Sequence, residues 1–149
     1  MKVFLDTNVI LENFLEREEF SIVNRLFKKL YEQKCILFIS VGSFYTMIFL
    51  VDKYLRKELR LSGDVRIVAL RQIMSNILKT VQVAEHDNDS LLQGVLNQDF
   101  LDIEDGCQYE LAGKVACDYL LTFNTKDFPV ASDSLPRVLT PQAFLDSLA

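Results

Sequence analysis

Short runs with no room for water on either side constrain this chain most. Lys2-Val3-Phe4-Leu5, Cys35-Ile36-Leu37-Phe38-Ile39 and Tyr119-Leu120-Leu121-Thr122 have the length of strands and are almost wholly apolar, without the polar alternation of a half-exposed sheet. Strands of that kind belong in a parallel sheet covered on both faces, and segments with helical spacing lie between them. The fold class expected is therefore α/β, a three-layer α/β/α sandwich around a central parallel sheet. The 149 residues, half of them apolar, match the size and core of one ordinary domain, read as 1–149 without repeat, low-complexity stretch or linker.

The polar residues between the runs fill in the order of elements. Asp6-Thr7-Asn8 follows the first strand directly and is of the type that caps a helix, which then runs from about Val9 with Ile10, Leu11, Phe14 and Leu15 at helical spacing. A second amphipathic helix places Phe20, Val23, Leu26, Phe27 and Leu30 on one face. The segment 40–55 lacks strict alternation and reads as a buried helix, followed by a helix over 62–78 and a strand over 80–83. Further helices are expected over 88–96 and 104–115, a fifth strand over 137–139, and a last helix to Leu148 with Thr140 as N-cap and Pro141 at its first position. The turn-rich segment from Pro129 to Pro136 is the expected flexible loop.

In an open parallel sheet, loops and helix N-termini gather at the carboxyl ends of the strands, and ligands bind there. Asp6 ends the first strand, and Asn124 and Asp127 follow the strand that ends at Thr122. The helix opened by Asp102, Glu104 and Asp105 precedes that strand and runs antiparallel to it, so its N-terminus comes to the same rim. Singly, each acid has a local explanation: Asp6 as a helix cap, the central three as acids at the positive end of a helix, Asp127 as a turn residue. Jointly, they form a carboxylate cluster that is costly without a cation among it. Hard oxygen donors select Mg²⁺ or Mn²⁺, and the natural chemistry of such a centre is hydrolysis of a phosphodiester.

Charge supports that direction. The formal charge is −5, yet residues 51–80 hold seven basic side chains against three acids, while residues 84–110 hold eight acids and neither Lys nor Arg. A basic stripe beside an acidic pole suits a centre in which cations bridge carboxylates to an anionic substrate; two solvated helix faces give the same pattern. The three cysteines are odd in number and form no CxxC pair, which indicates neither a disulfide framework nor a thiolate zinc site and fits a reduced compartment. With no apolar stretch near membrane length and no signal-peptide core after Met1, the expected location is the cytoplasm, away from membranes.

Phe4-Leu-Asp-Thr-Asn-Val9, Asp102-Ile-Glu-Asp-Gly106 and Leu121-Thr-Phe-Asn-Thr-Lys-Asp-Phe128, in that order and spacing, make the chain resemble the PIN-domain family over nearly its whole length. The resemblance implies a Mg²⁺- or Mn²⁺-dependent endoribonuclease, with Asp6, Asp105 and Asp127 as catalytic metal-binding acids and Asn124 at a position often held by Asp or Asn. Among bacterial members it is similar to VapC-type toxins, which implies an RNA substrate, a cognate antitoxin protein and a homodimer. The family usually has a Glu in the helix after its second strand, and Thr46 stands at the matching position. Either Glu104 or Asp102 completes the metal shell, or the site is depleted and the fold serves as an RNA- or protein-binding module. An aspartyl-phosphate enzyme fits less well, since Asn8 stands where a phosphatase needs a second acid and Ser40 where a receiver domain needs its acceptor.

The remaining candidates read structurally. His86 is the sole histidine and reads as a loop residue, and Cys107 as a core-facing helix residue. Phe44, Tyr45, Phe49 and Tyr54 at helical spacing suit core or dimer contact more than base stacking, and the segment 44–54 is the expected surface for self-association or for an antitoxin helix.

Overall fold

The computed structural model describes residues 1–131 and 133–149. Five strands, β1 (Lys2–Leu5), β2 (Ile36–Ser40), β3 (Gln82–Ala84), β4 (Tyr119–Leu121) and β5 (Arg137–Leu139), form one sheet in the order β3-β2-β1-β4-β5. Every pairing is parallel, with Val3 opposite both Leu37 and Tyr119, and Phe38 opposite Gln82. The helices between them are α1 (Thr7–Phe14), α2 (Phe20–Glu32), α3 (Val41–Lys57), α4 (Gly63–Thr80), α5 (Asn88–Leu96), α6 (Ile103–Lys114) and α7 (Pro141–Ser147).

Side chains alternate across the sheet and so supply two cores. Val3, Leu5, Ile39 and Leu121 pack with α1, α2, α3, α4 and α7 on one face. Phe4 and Leu120 point the other way, against Leu111 and Ala112 of α6 and the ring of Phe100. Val3, Phe4 and Leu5 are wholly buried in the central strand, which explains why that run carries no polar residue after Lys2. The three-layer parallel sandwich is therefore as the apolar runs predict.

Several boundaries differ from the sequence reading. The helix expected to stop at Leu78 continues to Thr80, whose hydroxyl donates to the Asn76 carbonyl at 2.9 Å, so β3 begins at Gln82 instead of Thr80. A β-branched residue that reads as strand is satisfied here within the helix. β2 is shifted by one residue toward Ser40, which caps α3 by accepting from the Ser43 amide. α6 opens at Ile103, because Asp102 takes the cap position. α7 begins as expected, with the Thr140 hydroxyl accepting from Ala143 and Pro141 in the first turn. The expected loop from Pro129 to Pro136 includes Ser132, which lies outside the described residues.

The aromatic segment divides between core and surface. Phe44 and Tyr54 pack on the larger core, whereas Tyr45 and Phe49, one turn apart on α3, are 68% and 62% exposed. Cys35, Cys107 and Cys117 are all free. Cys107 is packing rather than chemistry, since it faces Gly94 so closely that a Cβ there would stand 2.6 Å from the Cys107 Cα. No helix among the described residues is long and apolar enough to cross a membrane.

Candidate active site

Parallel strands put all their carboxyl ends on one rim, and the site is built there. β1 ends at Leu5, and the backbone of Asp6 continues the ladder by donating to the Leu121 carbonyl at 3.0 Å. Asp6 occupies the cap position of α1, but its side chain makes no capping bond. Its carboxylate turns to the neighbouring strand instead and accepts a hydrogen bond of 2.8 Å from the hydroxyl of Thr122. The capping explanation for Asp6 is thereby overturned. Thr122 is wholly buried, and its Oγ1 in turn accepts the Asn124 amide at 3.0 Å, so one hydroxyl ties the end of β1 to the turn after β4.

The other acids reach this rim from two elements. Asp102 caps α6, its Oδ1 accepting from the amides of Glu104 at 2.8 Å and Asp105 at 3.4 Å. That cap fixes the first turn of α6, which carries Glu104 and Asp105, and Asp105 feels the charges of Asp6 and Asp127 from there. Asp127 closes a single 3₁₀ turn, Thr125–Asp127, that follows Asn124. Asn124 joins the site through its backbone amide, while the residue itself is exposed.

The acids act on one another through their charge. The Asp105 carboxyl is pushed up to about 7, first by burial and then by the negative charges of Asp102, Asp6, Asp127 and Glu104. Asp6 is raised as well, chiefly by burial, against the favourable Thr122 hydroxyl and Thr7 amide and with a smaller push from Asp102. None of these five acids is held in an ion pair among the described residues; the pairs present involve Glu12, Glu32, Asp52 and Asp87. The Thr7 hydroxyl next to Asp6 is buried without a hydrogen-bond partner.

The donor chemistry fits a hard divalent cation: acid oxygens, crowded, unpaired and partly desolvated. Their spacing is looser than a finished cage. Among the described residues no three His, Cys, Asp or Glu side chains stand close enough together to hold an ion as they are. The wall beside β2 carries hydroxyls in place of a carboxylate: Ser40 donates to Ser43 at 2.9 Å, and Thr46 lies exposed one turn further along α3.

A model of a known protein family, the PIN domain, matches residues 2–126 of the chain. The chain belongs to the PIN-domain family. PIN domains are in general nucleases that use divalent metals, and membership brings with it a nucleic-acid partner. No curated protein matches the chain. The PIN match contains Asp6, Asp102, Glu104, Asp105 and Asn124 and stops one residue before Asp127, so β5 and α7 lie beyond it.

Thr122 is the residue beside these acids that sequence reasoning missed. It stood in the reading as the last residue of an apolar run and inside the motif from Leu121 to Phe128, with no role of its own. The available signal was its position, one residue past β4 and beside the chain carrying Asp6, where most buried hydroxyls find an acceptor. A cavity of about 560 Å³ lined by Leu11, Arg17, Lys53, Tyr54 and Lys57 lies away from this chemistry, toward the C-terminal ends of α1 and α3.

Proposed function

We propose that this PIN domain is a metal-dependent endoribonuclease in which Asp6, Asp105 and Asp127 hold Mg²⁺ or Mn²⁺. Asn124, Glu104 and Asp102 complete the candidate donor set. The observation that carries the reading is the meeting of acids from three separate parts of the chain, at the ends of β1 and β4 and at the start of α6, with no Lys or Arg among the described residues paired to any of them. A bound divalent ion would supply Lewis acidity at a phosphoryl oxygen and a lowered pKa for water. The chain's own residues do the rest: Thr122 fixes the Asp6 carboxylate, Asp102 fixes the first turn of α6, and burial keeps competing water from Asp6. The basic side chains of residues 51–80 that remain outside ion pairs, Lys53, Lys57, Arg60, Arg71 and Lys79, give phosphates a place on the α3 and α4 side.

The biological reading is the toxin of a toxin–antitoxin pair, a single cytoplasmic domain 1–149 that works as a homodimer and is held in check by a cognate antitoxin. Tyr45 and Phe49, exposed on α3, support a protein contact on the segment 44–54. A second reading, a PIN fold that binds RNA or protein without cutting, is favoured by Thr46 standing in place of an acid and by the open spacing of the donors. Calorimetric titration of Mn²⁺ separates the two. A nuclease centre binds Mn²⁺ in the unaltered protein and loses it in Asp105→Asn and Asp127→Asn; a depleted site takes up no Mn²⁺ in any of the three.

A further inference from the structure

Helix α5 is apolar on the wrong side. Its buried residues are Ser90 and Gly94, and it contributes no residue to either core. Gly94 docks against the Cys107 backbone of α6 with no room for a Cβ. At 100° per residue, Leu91, Val95, Leu92 and Leu96 then form one continuous stripe opposite that contact. All four are exposed, by 42%, 51%, 56% and 64%. Leu101, fully exposed, and Ile103, 55% exposed, follow in sequence as the chain turns from α5 into α6. Single exposed leucines are ordinary, but a helix that turns its small residues inward and its leucines outward presents an interaction surface.

The surroundings decide what covers it. Of the eight acids in residues 84–110, Asp87 is taken up at 2.8 Å by Lys114 and Asp102, Glu104 and Asp105 belong to the rim, which leaves Glu85, Asp89, Asp99 and Glu110 with no Lys or Arg in that stretch to offset them. A second copy applied face to face would bring acid against acid, and a nucleic acid would bring phosphate against acid. We infer that the outward face of α5, with Leu101 and Ile103, docks a cationic amphipathic helix of another protein, its apolar side chains on the leucine stripe and its Lys or Arg residues against the flanking acids such as Asp89 and Asp99. The face is separate from the α3 segment and is read by binding alone, whatever the acids at the rim catalyse.

The test uses the full chain and a labelled helical peptide with leucines along one face and lysines beside them, with a second peptide carrying glutamates in place of the lysines. Fluorescence anisotropy should show salt-sensitive binding of the lysine peptide and none of the glutamate peptide. The double variant Leu92→Gln, Val95→Gln should lose about tenfold or more in affinity with an unchanged thermal melt, since both side chains lie in solvent. Asp89→Lys with Asp99→Lys should reverse the preference between the peptides. The inference is overturned if neither peptide binds, if both bind alike, or if the glutamine variant binds as the unaltered chain does. It is equally overturned if sedimentation shows a dimer that the glutamine variant abolishes, which would assign the face to a second copy.

Discussion

At the scale of single residues, the hydrogen bond from Thr122 to Asp6 sets this carboxylate apart from an ordinary helix cap. A cap residue accepts from the amide at the second or third position of its helix; Asp6 makes no such bond and is held across to β4 by Thr122 instead. Thr122→Val keeps the shape but removes the donor, and a support of this kind is worth about 10–100-fold in metal affinity or activity, to be read by Mn²⁺ titration. Asp105 gives a pH dependence in metal-free protein. Below the ordinary carboxyl value of 3.8 it is protonated whether folded or unfolded and costs nothing. As pH rises from there the unfolded chain ionises while the folded carboxyl holds its proton to about 7, so this contribution to stability is lost across that window. Melting in EDTA should therefore show Asp105→Asn equal to the unaltered protein near pH 4 and more stable at pH 8. Equal melting at both values would contradict the crowding at Asp105. The acids themselves were legible in the sequence because parallel topology fixes which rim each residue joins. Thr122 was not, because a threonine at a strand end looks the same whether or not it holds a neighbour's carboxylate.

At the scale of elements, apolar runs revealed β1, β2 and β4, whose burial on both faces leaves an unmistakable pattern. β3 and β5 have three residues each, too few for any periodicity, and β3 was displaced because Thr80 satisfies itself in α4. The orientation of α5 was beyond the sequence for a different reason: leucines usually mark the inward face, and here the inward contact belongs to Gly94 and Cys107. That contact makes a stability prediction. Gly94→Ala puts a methyl carbon against backbone atoms of Cys107 that cannot rotate away, so α5 must lift from α6 at a cost of about 1–3 kcal/mol, measurable by urea unfolding. At the other end of the sheet, Thr140→Ala removes the only side-chain cap of α7 and should cost about 1 kcal/mol by the same measurement.

At the scale of the whole molecule, the layout assigns different work to different sides. One face of the sheet carries five helices and the larger core, the other carries α6 with α5 upon it, and the acids meet at the rim between them. The three-layer architecture and family followed from the order of strands, helices and acid motifs, and the family match over residues 2–126 agrees. What the chain order could not give is the spacing of the acids, which depends on how the first turn of α6 and the turn after β4 are seated against the end of β1. The central claim is that these acids make a nuclease, and it is tested most directly by incubating the full chain with total RNA in Mn²⁺, in Mg²⁺ and in EDTA, beside Asp6→Asn and Asp105→Asn. The account predicts cleavage in either metal, none in EDTA, and none by either variant although both fold. RNA left intact by the unaltered protein in both metals, or cut equally by the variants, would contradict it.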